Sequence, residues 1–131
     1  MAKPRCAMPD FQPGPLDFSV SGAWEHCELT YAVGNLSQSI APSDCEAAIN
    51  RALATWRNSG VSSKFEKVSK SEDHDIFIEW RRADDPNHSM AGSTLAHADF
   101  EPGFSLIADR PPLPLHFDDE EHTWADGAFE D

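Results

Sequence analysis

Apolar and polar side chains alternate over residues 28–34, where Leu29, Tyr31 and Val33 lie two positions apart. A period of two is typical of a β-strand that buries one face. Over residues 75–80 the pattern differs, because three apolar residues follow one another, as in a strand that is covered on both faces. Further short stretches favour strands at 64–68, 94–100 and 115–117.

The spacing of apolar residues predicts one long helix, over residues 44–58. Five apolar residues recur at intervals of three and four and share one face of it: Cys45, Ile49, Ala52, Leu53 and Trp56. We expect this face, including Trp56, to pack in the core. Ser43 and Glu46 have the spacing of a capping box, and Gly60 can end the helix in a left-handed conformation.

The elements follow one another as strand, helix, strand and strand. This order predicts an α+β fold, in which one long helix packs on a face of a mixed sheet. Polar residues with Pro86 and Gly92 predict a loop over 81–93, and a proline-rich loop spans 101–114. Residues 1–20 are predicted to be a leader without regular structure, because prolines recur there too often for a helix or an interior strand.

The composition indicates a single domain. The chain has 131 residues, of which 40% are hydrophobic, enough for a modest core. Its formal net charge of -13 should repel nucleic acid and anionic lipid, so we expect neither nucleic acid nor a membrane as a partner. The sequence has no apolar run long enough to cross a bilayer, and the residues after Met1 lack the apolar stretch of a secretion signal.

The chain has three cysteines, so at least one thiol has no partner within it. Cys27 and Cys45 fall near the starts of a predicted strand and the helix. We expect a disulfide between these two residues and a free thiol at Cys6. The alternative, in which all three cysteines are reduced, has about equal weight.

Two short segments concentrate residues that bind metal ions. Side chains alternate along a strand, so His97 and Asp99 should point to one side, and His116 and Asp118 should do the same. Two neighbouring strands could therefore direct imidazoles, which suit zinc, and carboxylates, which suit calcium, at a shared loop. For the acidic run 118–121, a solvated turn is the alternative.

The leader contains Pro4-Arg5-Cys6-Ala7-Met8-Pro9-Asp10. This strip resembles the cysteine switch of the matrixins, the matrix metalloproteinase family of zinc endopeptidases (peptidase family M10). The resemblance continues, in the order of that family, to about Trp124. The other similar segments are Leu29-Thr30-Tyr31, the helix end Ala52-Leu53-Ala54-Thr55-Trp56, Asp75-Ile76-Phe77-Ile78, Leu95-Ala96-His97-Ala98 and 116–121.

The resemblance implies a metzincin-like upper subdomain, with a twisted mixed sheet and one long helix, that is truncated before the active-site helix. Residues 1–20 would be a propeptide-like switch leader, and residues 21–131 would be the amino-terminal part of a catalytic domain. The implied activity is hydrolysis of peptide bonds by a zinc-activated water. The resemblance also implies protein or peptide substrates, an extracellular location, and zinc and calcium as cofactors.

The resemblance also assigns individual residues. Cys6 is implied as the zymogen switch, whose sulfur would ligate the catalytic zinc. The implied ligands of a structural zinc are His97, His116 and Asp84. The implied calcium ligands are Asp118 and Glu121 at one site and Asp75 at a second.

Several positions depart from the family pattern. Arg82 stands where a zinc-binding histidine is usual, and His88 in the same loop could replace it. Ser89 and Pro114 stand where calcium-binding aspartates are usual. The family's catalytic sequence, His-Glu-x-x-His-x-x-Gly-x-x-His, does not occur in these 131 residues. We therefore expect the chain alone to have no catalytic residues and no peptidase activity.

Two other functions are compatible with the sequence. The chain could be a non-catalytic calcium- or zinc-binding module, or a degenerate member of the family. Alternatively, its histidines and carboxylates could form a small hydrolytic metal site of their own, built from His97, Asp99, His116, Asp118 and His122.

Overall fold

A computed structural model describes residues 5–6 (backbone only), 24–60 and 64–126. These residues form six strands and one helix: β1 (Arg5–Cys6), β2 (Glu28–Val33), α1 (Pro42–Asn58), β3 (Lys64–Lys67), β4 (Ile76–Arg81), β5 (Thr94–Ala98) and β6 (Leu113–Asp118). The α+β class predicted from the hydrophobic pattern is confirmed. Apart from β1, the predicted leader over residues 1–20 lies outside the described residues.

The six strands form one mixed sheet in the order β1-β5-β6-β4-β2-β3. Strands β3, β2, β4 and β6 run parallel to one another, β5 is antiparallel to β6, and β1 is parallel to β5. Parallel neighbours need a long crossover connection, and α1 supplies the one between β2 and β3. None of the helices in the described part of the chain combines the length and apolar character that crossing a membrane requires.

The core lies between α1 and the sheet. Its buried centre consists of Tyr31, Ile49, Ile78 and Trp80. The Trp80 ring stacks on Phe117 with 4.6 Å between ring centroids, and Trp124 packs edge-on against both rings. The indole nitrogen of Trp124 donates a hydrogen bond of 2.8 Å to the carbonyl of Asp118, so the chain after β6 is fastened over the core.

The start of α1 differs from the prediction. The helix begins at Pro42 with Ala41 as its N-cap, and no side chain caps it, so the predicted capping box of Ser43 and Glu46 is wrong. Proline suits the first helical turn, because its φ is already helical and its missing N–H needs no partner there. Ser43 therefore lies inside the helix, where it cannot act as N-cap. Gly60, just past the helix, has the expected positive φ of 93°.

Trp56 was expected in the core, but its exposed fraction is 62%. The residue lies seven positions after the buried Ile49, so both point in nearly the same direction around the helix axis. What differs is the surface opposite, because the core cluster that covers Ile49 does not include Trp56. Helical periodicity alone therefore overestimated the length of the buried stripe.

The expected disulfide between Cys27 and Cys45 is also wrong, since both residues are free thiols. Cys45 is wholly buried on the inner face of α1, whereas Cys27 is exposed ahead of β2. The side chain of Cys6 lies outside the described part of the chain.

Candidate metal centre

The register of the sheet brings two histidines face to face. In the antiparallel pair of β5 and β6, His97 lies directly opposite His116. Their ring centroids are 5.2 Å apart, and Nε2 of His97 lies 3.2 Å from Nδ1 of His116. Both residues are buried. The prediction that neighbouring strands direct these imidazoles at one point agrees with this geometry.

Asp85 completes the group from the loop between β4 and β5. Its Oδ2 atom lies 3.0 Å from Nε2 of His97 and 2.6 Å from Nδ1 of His116. Its other carboxylate oxygen accepts a hydrogen bond of 3.1 Å from the backbone N–H of Asn87, which orients the carboxylate. One oxygen and two nitrogens thus converge at a single buried place, which we call the Asp85–His97–His116 triad.

The protonation states of Asp85 and His97 suit a metal ion. Burial alone would raise the pKa of Asp85, but the N–H of Asn87 and the two imidazoles outweigh it and lower that pKa. Burial lowers the pKa of His97, despite the opposing charge of Asp85, and this favours the neutral ring. A carboxylate and neutral imidazoles are the forms in which these groups bind zinc.

The size of the triad fits zinc as well. Ligand atoms around a tetrahedral zinc with bonds of about 2.0–2.1 Å lie about 3.3 Å from one another. The three distances within the triad, 2.6, 3.0 and 3.2 Å, are all shorter, most of all the one between Asp85 and His116. A small outward movement of the three side chains would therefore admit the ion.

Asp84, the aspartate expected as a zinc ligand, does not point into the triad. Its carboxylate accepts hydrogen bonds from the hydroxyl of Ser89 and from the backbone N–H of Met90 and Asp85. The hydrogen bond from Ser89, followed by the one from Met90, lowers the pKa of Asp84. The structure brings Asp85 to the imidazoles instead. Two adjacent aspartates were visible in the sequence, but only the turn of the loop decides which one faces inward.

His88, the suggested replacement ligand, lies on the other side of the His97 ring. Its Nδ1 atom is 3.3 Å from Nδ1 of His97, whereas Nε2 of His97 faces the triad. Arg82 points elsewhere too, because its guanidinium donates to the carbonyl of Leu36 and lies 3.7 Å from the carboxylate of Asp119. Neither side chain joins the three ligand atoms in this structure.

Asp118 and Glu121, the expected calcium ligands, lie close together, and His122 lies with them. Asp118 accepts the backbone N–H groups of Glu120 and Glu121, and Glu121 accepts that of Gly92 at 2.6 Å. Nε2 of His122 is buried without a hydrogen-bond partner, 3.8 Å from Asp118. The sequence pattern gives His122 no role at the calcium site, although its place beside Glu121 is visible in the chain.

Asp99, expected on the same side as His97, holds a loop through hydrogen bonds and is not one of the grouped ligands. Its carboxylate accepts four backbone N–H groups of the loop that follows β5: those of Phe100, Leu106, Ile107 and Ala108. Asp99 thereby shapes the connection to β6. It does not join the ligand groups found among the described residues.

Asp75, the residue expected at a second calcium site, lies directly before β4 and belongs to neither ligand group. Its Oδ2 accepts hydrogen bonds from the N–H of Thr30 at 2.9 Å and from its hydroxyl at 3.3 Å, and it lies 3.2 Å from Nε2 of His26. Burial would raise the pKa of Asp75, but these partners outweigh it and lower that pKa. The carboxylate therefore ties β2 to β4.

Replacing Asp75 with alanine is expected to destabilise the chain by about 1–3 kcal/mol at pH 7, because the N–H of Thr30 loses its charged acceptor. Since folding lowers the pKa of this carboxyl, its stabilising contribution is present above the unfolded value of 3.8 and is lost as the pH falls through the folded value. Urea unfolding of both proteins at several pH values measures the difference.

The exposed Asp73 provides the matched control. Asp73→Ala should change the free energy of unfolding by less than about 0.5 kcal/mol at any of these pH values. A stability difference between wild type and Asp75→Ala that stays constant down to pH 2 would contradict the role assigned to the charge.

A comparison with protein families covers both long described segments, 24–60 and 64–126. The family model of the matrixins matches residues 23–130. The chain belongs to the matrixin family. Its mixed sheet with one helix is the fold expected of part of a matrixin catalytic domain.

Several curated matrixins resemble the chain over nearly all of its length. It is 36% identical to interstitial collagenase of Bos taurus over 134 residues, which cover 100% of the chain and 26% of that protein. It is 34% identical to matrix metalloproteinase-18 of Xenopus laevis, with 95% of the chain and 25% of that protein covered. With matrix metalloproteinase-16 of Homo sapiens the identity is 31%, over 92% of the chain and 22% of that protein. The chain thus spans about a quarter of the length of these relatives.

Proposed function

We propose that the chain is part of a secreted, zinc-dependent endopeptidase that hydrolyses protein or peptide substrates, and that it forms the upper part of the catalytic domain. The observation that carries this proposal is the convergence of Asp85, His97 and His116 on one buried point of a matrixin sheet. Membership of the family supports metal-dependent peptide hydrolysis as the activity of the whole protein.

In this proposal the triad holds a structural zinc. When bound, zinc would join the loop between β4 and β5 to the two strands that carry the imidazoles. Asp85 supplies the negative charge, and the Asn87 N–H holds its carboxylate in position. His97 and His116 are fixed by their opposite positions in the strand pair. With an ion held by these three residues, the β5–β6 side of the sheet would be stabilised.

The leader is proposed to act as the switch. The backbone of Arg5 and Cys6 pairs in parallel with β5, opposite Thr94 and Ala96. This pairing supports a leader that covers the edge where an extended peptide could add as a strand. We propose that the sulfur of Cys6 ligates a catalytic zinc held by residues beyond these 131, and so keeps the enzyme latent.

A cation is proposed at Asp118 and Glu121, with calcium as the ion that the family resemblance implies. Two carboxylates close together repel one another, and a divalent cation between them removes this repulsion. For Asp75 the family resemblance gives a second calcium, but its carboxylate already accepts hydrogen bonds from Thr30. The cation at Asp118 is therefore the better supported of the two.

The proposal is tested by activity at two chain lengths. The purified 131-residue chain should show no chelator-sensitive cleavage of a fluorogenic peptide, since it lacks the His-Glu-x-x-His sequence. The transcript should continue in frame beyond Asp131 into that sequence. The longer protein should then cleave the peptide only after activation, whereas its Cys6→Ala variant should cleave it without prior activation.

Two results would count against the endopeptidase. A stop codon directly after Asp131 would favour a non-catalytic metal-binding module. Cleavage by the 131-residue chain that is lost in His122→Ala but kept in His116→Ala would favour a separate hydrolytic site.

A further inference from the structure

We propose that a metal ion held by the Asp85–His97–His116 triad keeps one coordination position open, and that a small monoanion of the carboxylate class binds there from an adjoining pocket. The inference rests on the proposed metal site. It goes beyond a purely structural zinc, because a structural zinc has four protein ligands, whereas an ion with three can exchange the fourth.

The number of protein ligands is the first support. Among the residues that the structure describes, three ligand atoms converge at this place and no fourth joins them. The candidates nearby are engaged in other contacts. His88 contacts the far nitrogen of His97, Arg82 lies against Asp119, and Asp84 accepts from Ser89 and Met90.

The pocket beside the triad is the second support. A pocket of about 240 Å³ is lined by Asp85 and His116 on one side. Its other walls are mostly apolar and include Phe77, Ala108 and Pro114. Since a water molecule occupies about 30 Å³ of liquid, this volume admits a small carboxylate as well as water.

The charge at the triad selects the class of ligand. Imidazoles bind metals in their neutral form, so a divalent ion with the single carboxylate of Asp85 leaves a net charge of about +1. A buried charge is costly unless it is compensated, and one monoanion compensates it. Arg81 also lines the pocket, but its guanidinium lies 3.5 Å from the carboxylate of Glu79, so this pair adds no net charge.

Visible absorption of bound Co²⁺ tests the proposal without an activity assay. The 131-residue chain carrying Glu121→Gln and His122→Ala is used, so that the second ligand group does not contribute. Sodium acetate is titrated at constant ionic strength, which is maintained with perchlorate. We expect one equivalent of Co²⁺ to bind and its absorption bands to shift in a saturable way with acetate.

Two further variants locate the effect. Ala108→Phe fills the pocket without changing a ligand, so it should keep the Co²⁺ and lose the response to acetate. His88→Ala should respond to acetate like the parent, which is the chain with Glu121→Gln and His122→Ala alone, because His88 is not a ligand. Circular dichroism verifies that both variants are folded.

Three outcomes would overturn the proposal. Bound Co²⁺ with bands indifferent to acetate would mean a closed site. A tenfold or greater loss of Co²⁺ affinity in His88→Ala, with a larger acetate response, would mean that His88 is the fourth ligand. Failure of the parent to bind Co²⁺ at all would refute the proposed metal site itself, and the inference with it.

Discussion

Replacing Asp85 with asparagine is expected to remove most of the thermal stabilisation that we expect zinc to confer through the proposed site. At a zinc concentration a thousand times its dissociation constant, binding stabilises the folded state by about 4 kcal/mol. For a chain of this size, that corresponds to a rise of about 10 °C in the melting temperature. Asparagine keeps the shape of Asp85 but supplies no charge to the ion or to the neighbouring imidazoles.

The matched control is Asp84→Asn, the same substitution one residue earlier. Asp84 accepts hydrogen bonds from Ser89 and Met90 and does not contact the imidazoles. This variant should keep the full response to zinc. Thermal unfolding followed by circular dichroism, with zinc and with a chelator, measures the zinc-dependent rise in melting temperature of both variants. The opposite result, with zinc stabilisation lost in Asp84→Asn alone, would mean that Asp84 is the zinc ligand, as the family pattern implies, and that Asp85 is not.

Replacing Trp80 with alanine is expected to cost about 3–5 kcal/mol of folding free energy. The ring is buried in the core and stacks on Phe117, so its removal leaves a cavity beneath Trp124. Since a domain is stable by only about 5–15 kcal/mol, this loss could leave a large fraction unfolded at room temperature. Urea unfolding followed by far-ultraviolet circular dichroism measures the free energy.

Trp56→Ala is the control for the same residue type, because Trp56 is 62% exposed. Its substitution should change the free energy of unfolding by no more than about 0.5 kcal/mol. Trp80→Phe should lose much less than Trp80→Ala, because it keeps an aromatic ring and removes a buried N–H that has no partner. Equal losses in Trp56→Ala and Trp80→Ala would contradict the core described above.

Much of the fold could be predicted from local patterns. The period of two in β2 and the apolar run in β4 depend on neighbouring residues alone, and so does the stripe on α1. Each element from β2 onward occurs within a few residues of its predicted position, whereas β1 falls in a leader for which no regular structure is predicted. The ends of the buried surfaces could not be predicted in this way, because the exposure of Trp56 depends on what lies opposite the helix.

Some residues of the candidate site could also be placed from the sequence, whereas others could not. His97 and His116 could be paired from the sequence, since alternation along two short strands places each imidazole on a defined side. The choice between Asp84 and Asp85 could not be made, because it depends on the backbone turn of a loop and on hydrogen bonds to Ser89 and Asn87. The position of His88 behind His97 depends on that same loop.

The sequence by itself therefore determined the family, the elements and the two strands that carry the imidazoles, because these follow from short-range periodicity and motifs. Only the tertiary structure decided that Asp85 completes the ligand group, that His122 joins Asp118 and Glu121, and that Cys27 and Cys45 stay apart. These outcomes depend on contacts between segments distant in sequence and on the torsions of the loops between them, and no local pattern of residue types encodes either.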